Sequence, residues 1–327
     1  MNIMSLMREI ALRKKRRILL VEGEDDRLIK AAAISASAGL SVPVLLGNKK
    51  NILKKAGKFG IVLDGADIME HIPTEKDVEE LVSIRKHKGM TAVKAREMLN
   101  DPNAYAALQL RRGIVDGAIG GFKFSTAEWM RPVLQIIGTD KNTTLVTAVC
   151  FLVVGERVLF FSDTDFVIKP GHKELAQIAV NAARFVNSLG IVPKVALLSY
   201  STHGSGDNPV LKDIHEALEL VRASCPSLVI DGEIQFDAAY SPESAERKCP
   251  GSPLKGEANV FIFPEITVGN VLIHALTQLT NFEFFGTFPV GLAKPVINGG
   301  RSSGVDKIVN AITACAMQAN IGIKARK

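Results

Sequence analysis

A short stretch, KPVINGGRSSGVDKIV at residues 294–309, carries residue types that hold and transfer anionic groups. It reads as an extended segment, then Gly299, Gly300, Arg301, Ser302, Ser303 and Gly304, then an apolar-periodic helix over 305–318. Glycines let backbone N–H groups approach a ligand closely. A helix N-terminus with outward-facing amides favours anions. Arg301 adds a planar guanidinium fork suited to phosphate. The same residues also fit an ordinary loop-to-helix junction, with Ser303 as N-cap and Asp306 three residues on as a capping-box variant.

An anion site of this kind needs strands that end in loops. Residues 3–17 read as a helix, 17–21 as a short apolar strand, 27–38 as a helix led in by Glu24, Asp25 and Asp26, and 42–46 as a second strand. Strand–helix–strand spacing marks a parallel sheet with crossover helices. Further strands are expected at 61–63, 115–119, 194–198, 228–230, 260–263 and 282–285. Helices are expected at 75–86, 91–99, 102–112, 126–137, 172–189, 208–223, 236–247 and 269–279. Pro132 must perturb the helix that contains it. Residues 144–154 and 157–161, around Gly155-Glu156, read as a β-hairpin, which implies a mixed sheet or the start of a second domain.

The architecture is therefore α/β with two parallel-type sheets, and ligands in such folds sit at the carboxyl ends of strands. Polar clusters fall there, at 120–125, 200–206, 231–237 and 298–304. None is a P-loop and no G-x-G-x-x-G follows the first strand, so neither ATP nor NAD is signalled.

Composition narrows the class of partner. A length of 327 residues implies about two domains. An apolar content of 47% and a charged content of 23% belong to an ordinary globular protein. The net charge of +6 suits acidic small molecules. With one Trp and three Tyr, stacking platforms for single-stranded nucleic acid are not expected. The basic run Arg13-Lys14-Lys15-Arg16-Arg17 reads as the solvated end of a helix. Cys150, Cys225, Cys249 and Cys315 are widely spaced and form no C-x-x-C, which points away from structural zinc and disulfides and toward a reducing, cytoplasmic setting. The basic N-terminus does not read as a signal peptide. The longest apolar run, about 145–154, is too short to span a bilayer.

Six blocks in register resemble the phosphate acetyltransferase (phosphotransacetylase) family, over nearly the whole chain. They are IRKHKG at 84–89, the STAE of 125–128 with MRP at 130–132 and LQII at 134–137, KVALLSYSTHGSG at 194–206, DGEIQFDAA at 231–239, PGSPLKGEANVFIFPE at 250–265 and GLAKP at 291–295. The resemblance implies two three-layer αβα domains with a cleft between them, like those of isocitrate and isopropylmalate dehydrogenases. One domain is discontinuous, 1–142 plus 288–327, and the other covers 143–287. It also implies a cytoplasmic homodimer that exchanges acetyl groups between coenzyme A and phosphate, with CoA, acetyl-CoA, acetyl phosphate and phosphate as substrates. No metal, prosthetic group, nucleic acid or membrane is implied.

By the same resemblance, Arg85, Arg131 and Arg301 are the anion-holding arginines. Ser125, Thr126, Tyr200, Ser201, Thr202, Gly300 and Ser302 join Arg85 and Arg131 in binding substrate. Arg301, Asp306 and Lys307 are the candidate catalytic residues. The chemistry fits these residue types: two anionic partners must meet at a carbonyl, the CoA thiol (ordinary pKa about 8.5) needs a base or a positive field, and the tetrahedral oxyanion needs donors.

The active-site segment departs from the family's NDLSRGCSxEDIV pattern. Gly300 stands at the usual serine, Lys307 at the aspartate proposed as base, Phe124 where a histidine is common, and His203 where a lysine is. Asp306 lies about 100° round the helix from Lys307 and does not simply replace the missing acid. Lys307 can instead lower the thiol pKa through its charge. Three readings follow: an acetyltransferase with an altered base, a phosphate butyryltransferase-like enzyme, or a catalytically weak CoA-ester-binding regulator.

Overall fold

The computed structural model describes residues 3–209 and 211–324. The chain divides into two compact units, one made of Ile3–Asp140 with the segment from Leu292 onward, the other of Lys141–Gly291.

The discontinuous unit runs α1 (Ile3–Leu12), β1 (Arg17–Leu20), α2 (Asp26–Ser37), β2 (Val42–Leu46), α3 (Lys49–Lys58), β3 (Asp67–Met69), α4 (Glu75–Arg85), a 3₁₀ turn (Lys86–Lys88), α5 (Ala92–Leu99), α6 (Pro102–Arg112), β4 (Gly117–Gly120) and α7 (Thr126–Ile136). The other unit contributes β5 (Thr147–Val154), β6 (Arg157–Ser162), α8 (His172–Ser188), β7 (Lys194–Leu198), α9 (Leu211–Ser224), β8 (Val229–Ile234), α10 (Phe236–Tyr240), α11 (Pro242–Lys248), β9 (Val260–Ile262), α12 (Ile266–Leu279) and β10 (Glu283–Val290). The chain then returns with β11 (Val296–Asn298) and α13 (Val305–Lys324).

Most helix starts follow from local chemistry. Asp25 caps α2 by accepting from the Arg27 amide, and Thr74–Asp77 and Ser125–Glu128 form capping boxes on α4 and α7. Pro102 opens α6 and left-handed Gly113 ends it. Pro132 does not break α7, which runs on through it.

In the discontinuous unit the sheet order is β11-β4-β1-β2-β3, and every pair is parallel. Ile18, Leu19 and Leu20 of the central strand are fully buried. A side chain at Gly117 would meet Cys315 of α13, and one at Gly120 would meet Trp129 of α7. Residues three apart on a strand face opposite ways, so α13 and α7 cover opposite faces of β4. The other sheet, β10-β5-β6-β9-β7-β8, is mixed rather than parallel: β5 pairs antiparallel with both β10 and β6.

Five local expectations are corrected. The expected strand at 61–63 lies in irregular chain, and β3 forms instead at Asp67–Met69. Helix α3 was not foreseen, because only Ile52 and Ala56 of its lysine-rich sequence are buried. The single helix expected over 236–247 is two, divided where Ser241 caps α11 ahead of Pro242. The 13–17 basic run is a solvated helix end only over Arg13, Lys14 and Lys15: Arg16 is buried against Asp116 and Asn320, and Arg17 pairs with Asp67. Strand β10 runs to Val290, beyond the strand expected at 282–285, because it is paired with β5 as far as Thr147. Among the described residues, no helix is long and apolar enough to cross a membrane.

Candidate active site

Strand pairing brings the 298–304 loop against the 120–125 loop. Asn298 is in register with Gly120, and the Gly299 amide continues the ladder by donating to the Gly120 carbonyl at 2.7 Å. The Asn298 Nδ2 donates to the Thr126 Oγ1 at 2.9 Å, and the Trp129 indole donates to the Ile297 carbonyl at 3.1 Å. Beyond Asn298 the chain turns at Arg301 and Ser302, closed by the Ser303 amide on the Gly300 carbonyl at 2.9 Å. It then enters α13, whose exposed first turn carries Asp306 and Lys307.

Two side chains that the sequence reading missed hold these loops. Glu22, buried at the end of β1, accepts the amides of Gly121, Phe122 and Lys123 on its Oε1, at 2.9, 2.9 and 3.2 Å. This nest of amides is therefore filled from within the chain, and the 120–125 cluster is not an open anion hole. Arg27 hydrogen-bonds both oxygens of Asp25 and the carbonyls of Phe122, Arg301 and Ser303. Burial opposes the charged form of Asp25, but the side-chain and backbone hydrogen bonds of Arg27 hold its carboxyl below the usual range. The available signal was the acid-rich turn EGEDDR directly after the first strand. Its acids also fit a plain helix start, which masks this second role.

Helix α7 ties the three expected arginines together. Glu128, Arg131 and Gln135 share its exposed face, spanning about 10 Å at 1.5 Å per residue. Arg301 lies close enough to Glu128 to help, after the hydrogen bonds from Ser125, to hold that carboxyl below its usual range. Arg85, at the end of α4, donates to the Gln135 carbonyl at 2.8 Å, and its Nε finds no hydrogen-bond partner among the described residues. Arg131, Arg301 and Lys307 are exposed, and no hydrogen bond or ion pair ties their side chains among the described residues. Ser125 is engaged as the N-cap of α7. Gly300 and Ser302 are exposed on the turn beside Arg301.

Tyr200, Ser201 and Thr202 belong to the other unit, in the loop after β7. Tyr200 is 57% exposed. Ser201 and Thr202 are buried, and their hydroxyls serve the loop itself. Ser201 Oγ donates to Glu233 at 2.8 Å and accepts from the Gly206 amide, while Thr202 Oγ1 accepts from the Gln235 amide at 3.0 Å. Glu233 also accepts the Gly204 amide and pairs with His215. Burial works against its charge, yet these hydrogen bonds hold its carboxyl down to about 2. His203 pairs with Asp231 at 3.0 Å.

Parallel strands whose loops gather at their carboxyl ends, with Arg131 on α7 and Arg85 and Arg301 beside it, define the chain as an α/β protein. The chain belongs to the Phosphate acetyl/butaryl transferase family, whose profile matches residues 2–316. It is 37% identical over 329 residues to the phosphate acetyltransferase of Acetivibrio thermocellus, covering 97% of this chain and 98% of that protein. It is 38% identical over 312 residues to the phosphate acetyltransferase of Escherichia coli, covering 95% of this chain but 44% of that longer relative. The crystal structure of a phosphotransacetylase from Streptococcus pyogenes superposes with a TM-score of 0.93 at 35% identity, covering 98% of this chain and 99% of that one.

Proposed function

We propose that the chain is a phosphate acetyltransferase, interconverting acetyl-CoA plus phosphate and CoA plus acetyl phosphate. The observation that carries this reading is the grouping around α7 of Arg131 on its exposed face, Arg85 bonded to its Gln135 carbonyl and Arg301 near its Glu128. Such a grouping suits the phosphates of CoA and of acetyl phosphate together. Arg85 and Arg131 hold CoA phosphates, and Arg301, with Gly300 and Ser302 on its turn, holds the acyl phosphate. In the direction of acetyl-CoA synthesis, the CoA sulfur attacks the acetyl carbonyl. Arg301 stabilises the oxyanion, the C–O bond to phosphate breaks, and phosphate leaves with that electron pair. Lys307 supplies a positive field that favours the thiolate, the thiol proton passes to water, and Asp306 beside Lys307 in the first turn of α13 tempers that field. CoA and acetyl-CoA act as substrates, and the reading calls for no metal or prosthetic group.

The finer reading of the fold is two three-layer αβα domains of the isocitrate and isopropylmalate dehydrogenase kind. The placement of α7 and α13 on opposite faces of β4 supports it. A homodimer is supported by α12, which carries no Asp, Glu, Lys or Arg and exposes Val268, Val271 and Leu279. The four free cysteines support a cytoplasmic setting.

The test is turnover by the purified chain with CoA and either acetyl phosphate or butyryl phosphate. Acetyl phosphate is expected to be preferred, and Arg301→Lys is expected to lower kcat/KM by about 100-fold. Lys307→Asp is expected to slow the reaction. No turnover with either acyl phosphate, alongside measurable CoA binding, would sink the enzyme reading in favour of a binding protein.

A further inference from the structure

We infer that Arg27 is a positioning residue for this reaction: it fixes the turn that carries Arg301, and Asp25 orients it. The inference rests on the acyltransferase reading for its activity arm only.

A guanidinium has five N–H groups in a fixed fork, and Arg27 assigns all of them. Nε and one Nη2 hydrogen meet the two oxygens of Asp25 at 3.1 and 3.0 Å. The other Nη2 hydrogen meets the Phe122 carbonyl at 3.2 Å. The two Nη1 hydrogens meet the Arg301 and Ser303 carbonyls at 2.8 and 3.1 Å. A saturated guanidinium has no donor left for a substrate anion, unlike the untied side chains of Arg131 and Arg301. Its partners are backbone atoms on both loops of the candidate site, so its geometry sets where the Arg301 backbone stands relative to the loop that precedes α7. Three features make the clamp rigid. Asp25 caps α2 with an extended backbone, accepts the Arg27 amide and meets the Nε and Nη2 edge of its guanidinium. The 121–123 amides are pinned separately by Glu22. Arg301 and Ser303 also lie in a closed turn, through the Ser303 amide on Gly300. Lysine cannot reproduce the arrangement, since its three donors radiate from one nitrogen and do not span a carboxylate and three carbonyls.

Misplacement of a catalytic group by about 1 Å lowers rate by about 100-fold. The test compares the parent with Arg27→Lys and Arg27→Ala in two arms. In the first, steady-state turnover of acetyl phosphate and CoA is expected to show kcat reduced about 100-fold in both variants, with KM for CoA nearly unchanged, and added guanidinium chloride at millimolar level is expected to raise kcat of Arg27→Ala. A rise in KM for acetyl phosphate at unchanged kcat would instead make Arg27 an anion ligand and overturn the inference. The second arm needs no activity. Amide hydrogen exchange in 299–304 is expected to accelerate in Arg27→Lys while exchange in the β1 and β2 strands stays at the parent rate. Unchanged exchange in 299–304 overturns the inference. An inactive parent overturns the acyltransferase reading and leaves the exchange result to decide the role of Arg27.

Discussion

The indole of Trp129 reaches across from α7 to donate to the Ile297 carbonyl of β11 at 3.1 Å, and its ring occupies the space where a side chain on Gly120 would stand. The helix that bears Arg131 is thereby registered against the strand that leads into Arg301. A Cβ at Gly120 would come within 2.8 Å of the ring, and the ring is fully buried. Gly120→Ala is therefore expected to destabilise the protein by about 1–3 kcal/mol through overpacking. It should also perturb the near-ultraviolet signal of Trp129, the single tryptophan in the chain. An unchanged denaturation midpoint and spectrum would show that the ring yields without consequence.

Glu22 holds three amides with one oxygen. Glu22→Gln keeps an acceptor but removes its charge, and about 1 kcal/mol should be lost. Glu22→Ala leaves buried donors unmet and should destabilise by about 3 kcal/mol. Urea midpoints measure both. Equal losses in the two variants would mean that charge rather than donor satisfaction dominates at this site.

Glu233 governs the acid limb of stability. Its carboxyl titrates near 2 in the folded chain against an ordinary value of 4.5. A depressed folded value contributes stability that is complete above about pH 4.5 and disappears as pH falls toward 2. The contribution is on the order of 3 kcal/mol. Unfolding free energy measured from pH 5 to pH 2 should therefore fall more steeply for the parent than for Glu233→Gln. Parallel curves would remove Glu233 from the account.

Thiol accessibility should separate the four cysteines. Cys150, Cys249 and Cys315 are buried and Cys225 is partly exposed. Burial raises the thiol pKa of all three buried residues, and for Cys150 and Cys315 far above the ordinary range. A bulky aromatic disulfide should label Cys225 in the native protein and reach the other three only in denaturant. Rapid native labelling of Cys315 would mean that α13 detaches readily from β4.

Legibility in the sequence followed the size of the local signal. The strands β1, β2 and β7 were readable because apolar runs state their own structure. Strand β3 was not, since Asp-Ile-Met carries no alternation and pairs only because β2 presents an open edge. The Arg301 turn was readable from glycines and an arginine beside a helix start. Arg27 was hidden because its partners are backbone carbonyls 95 to 276 residues away, and carbonyls leave no mark in a sequence. Ser201 and Thr202 are the converse case: their motif is plain, yet their hydroxyls face inward to Glu233 and Gln235.

The pairing of β11 with β4 joins residue 296 to residue 118 and residue 298 to residue 120, with a whole compact unit between them in the sequence. Chains are made from the N-terminus, and units fold as they emerge. On a ribosome the 141–291 unit is therefore free to fold while the first unit still waits for one edge strand and the helix that covers it. Until residues 296–304 emerge, β4 has an open edge, Trp129 has no carbonyl to meet, and Arg27 has only part of its set of partners. The joint between the β4 and β11 loops thus comes into being late in synthesis, and a nascent chain cut short before residue 296 would have Arg85 and Arg131 without the turn that carries Arg301.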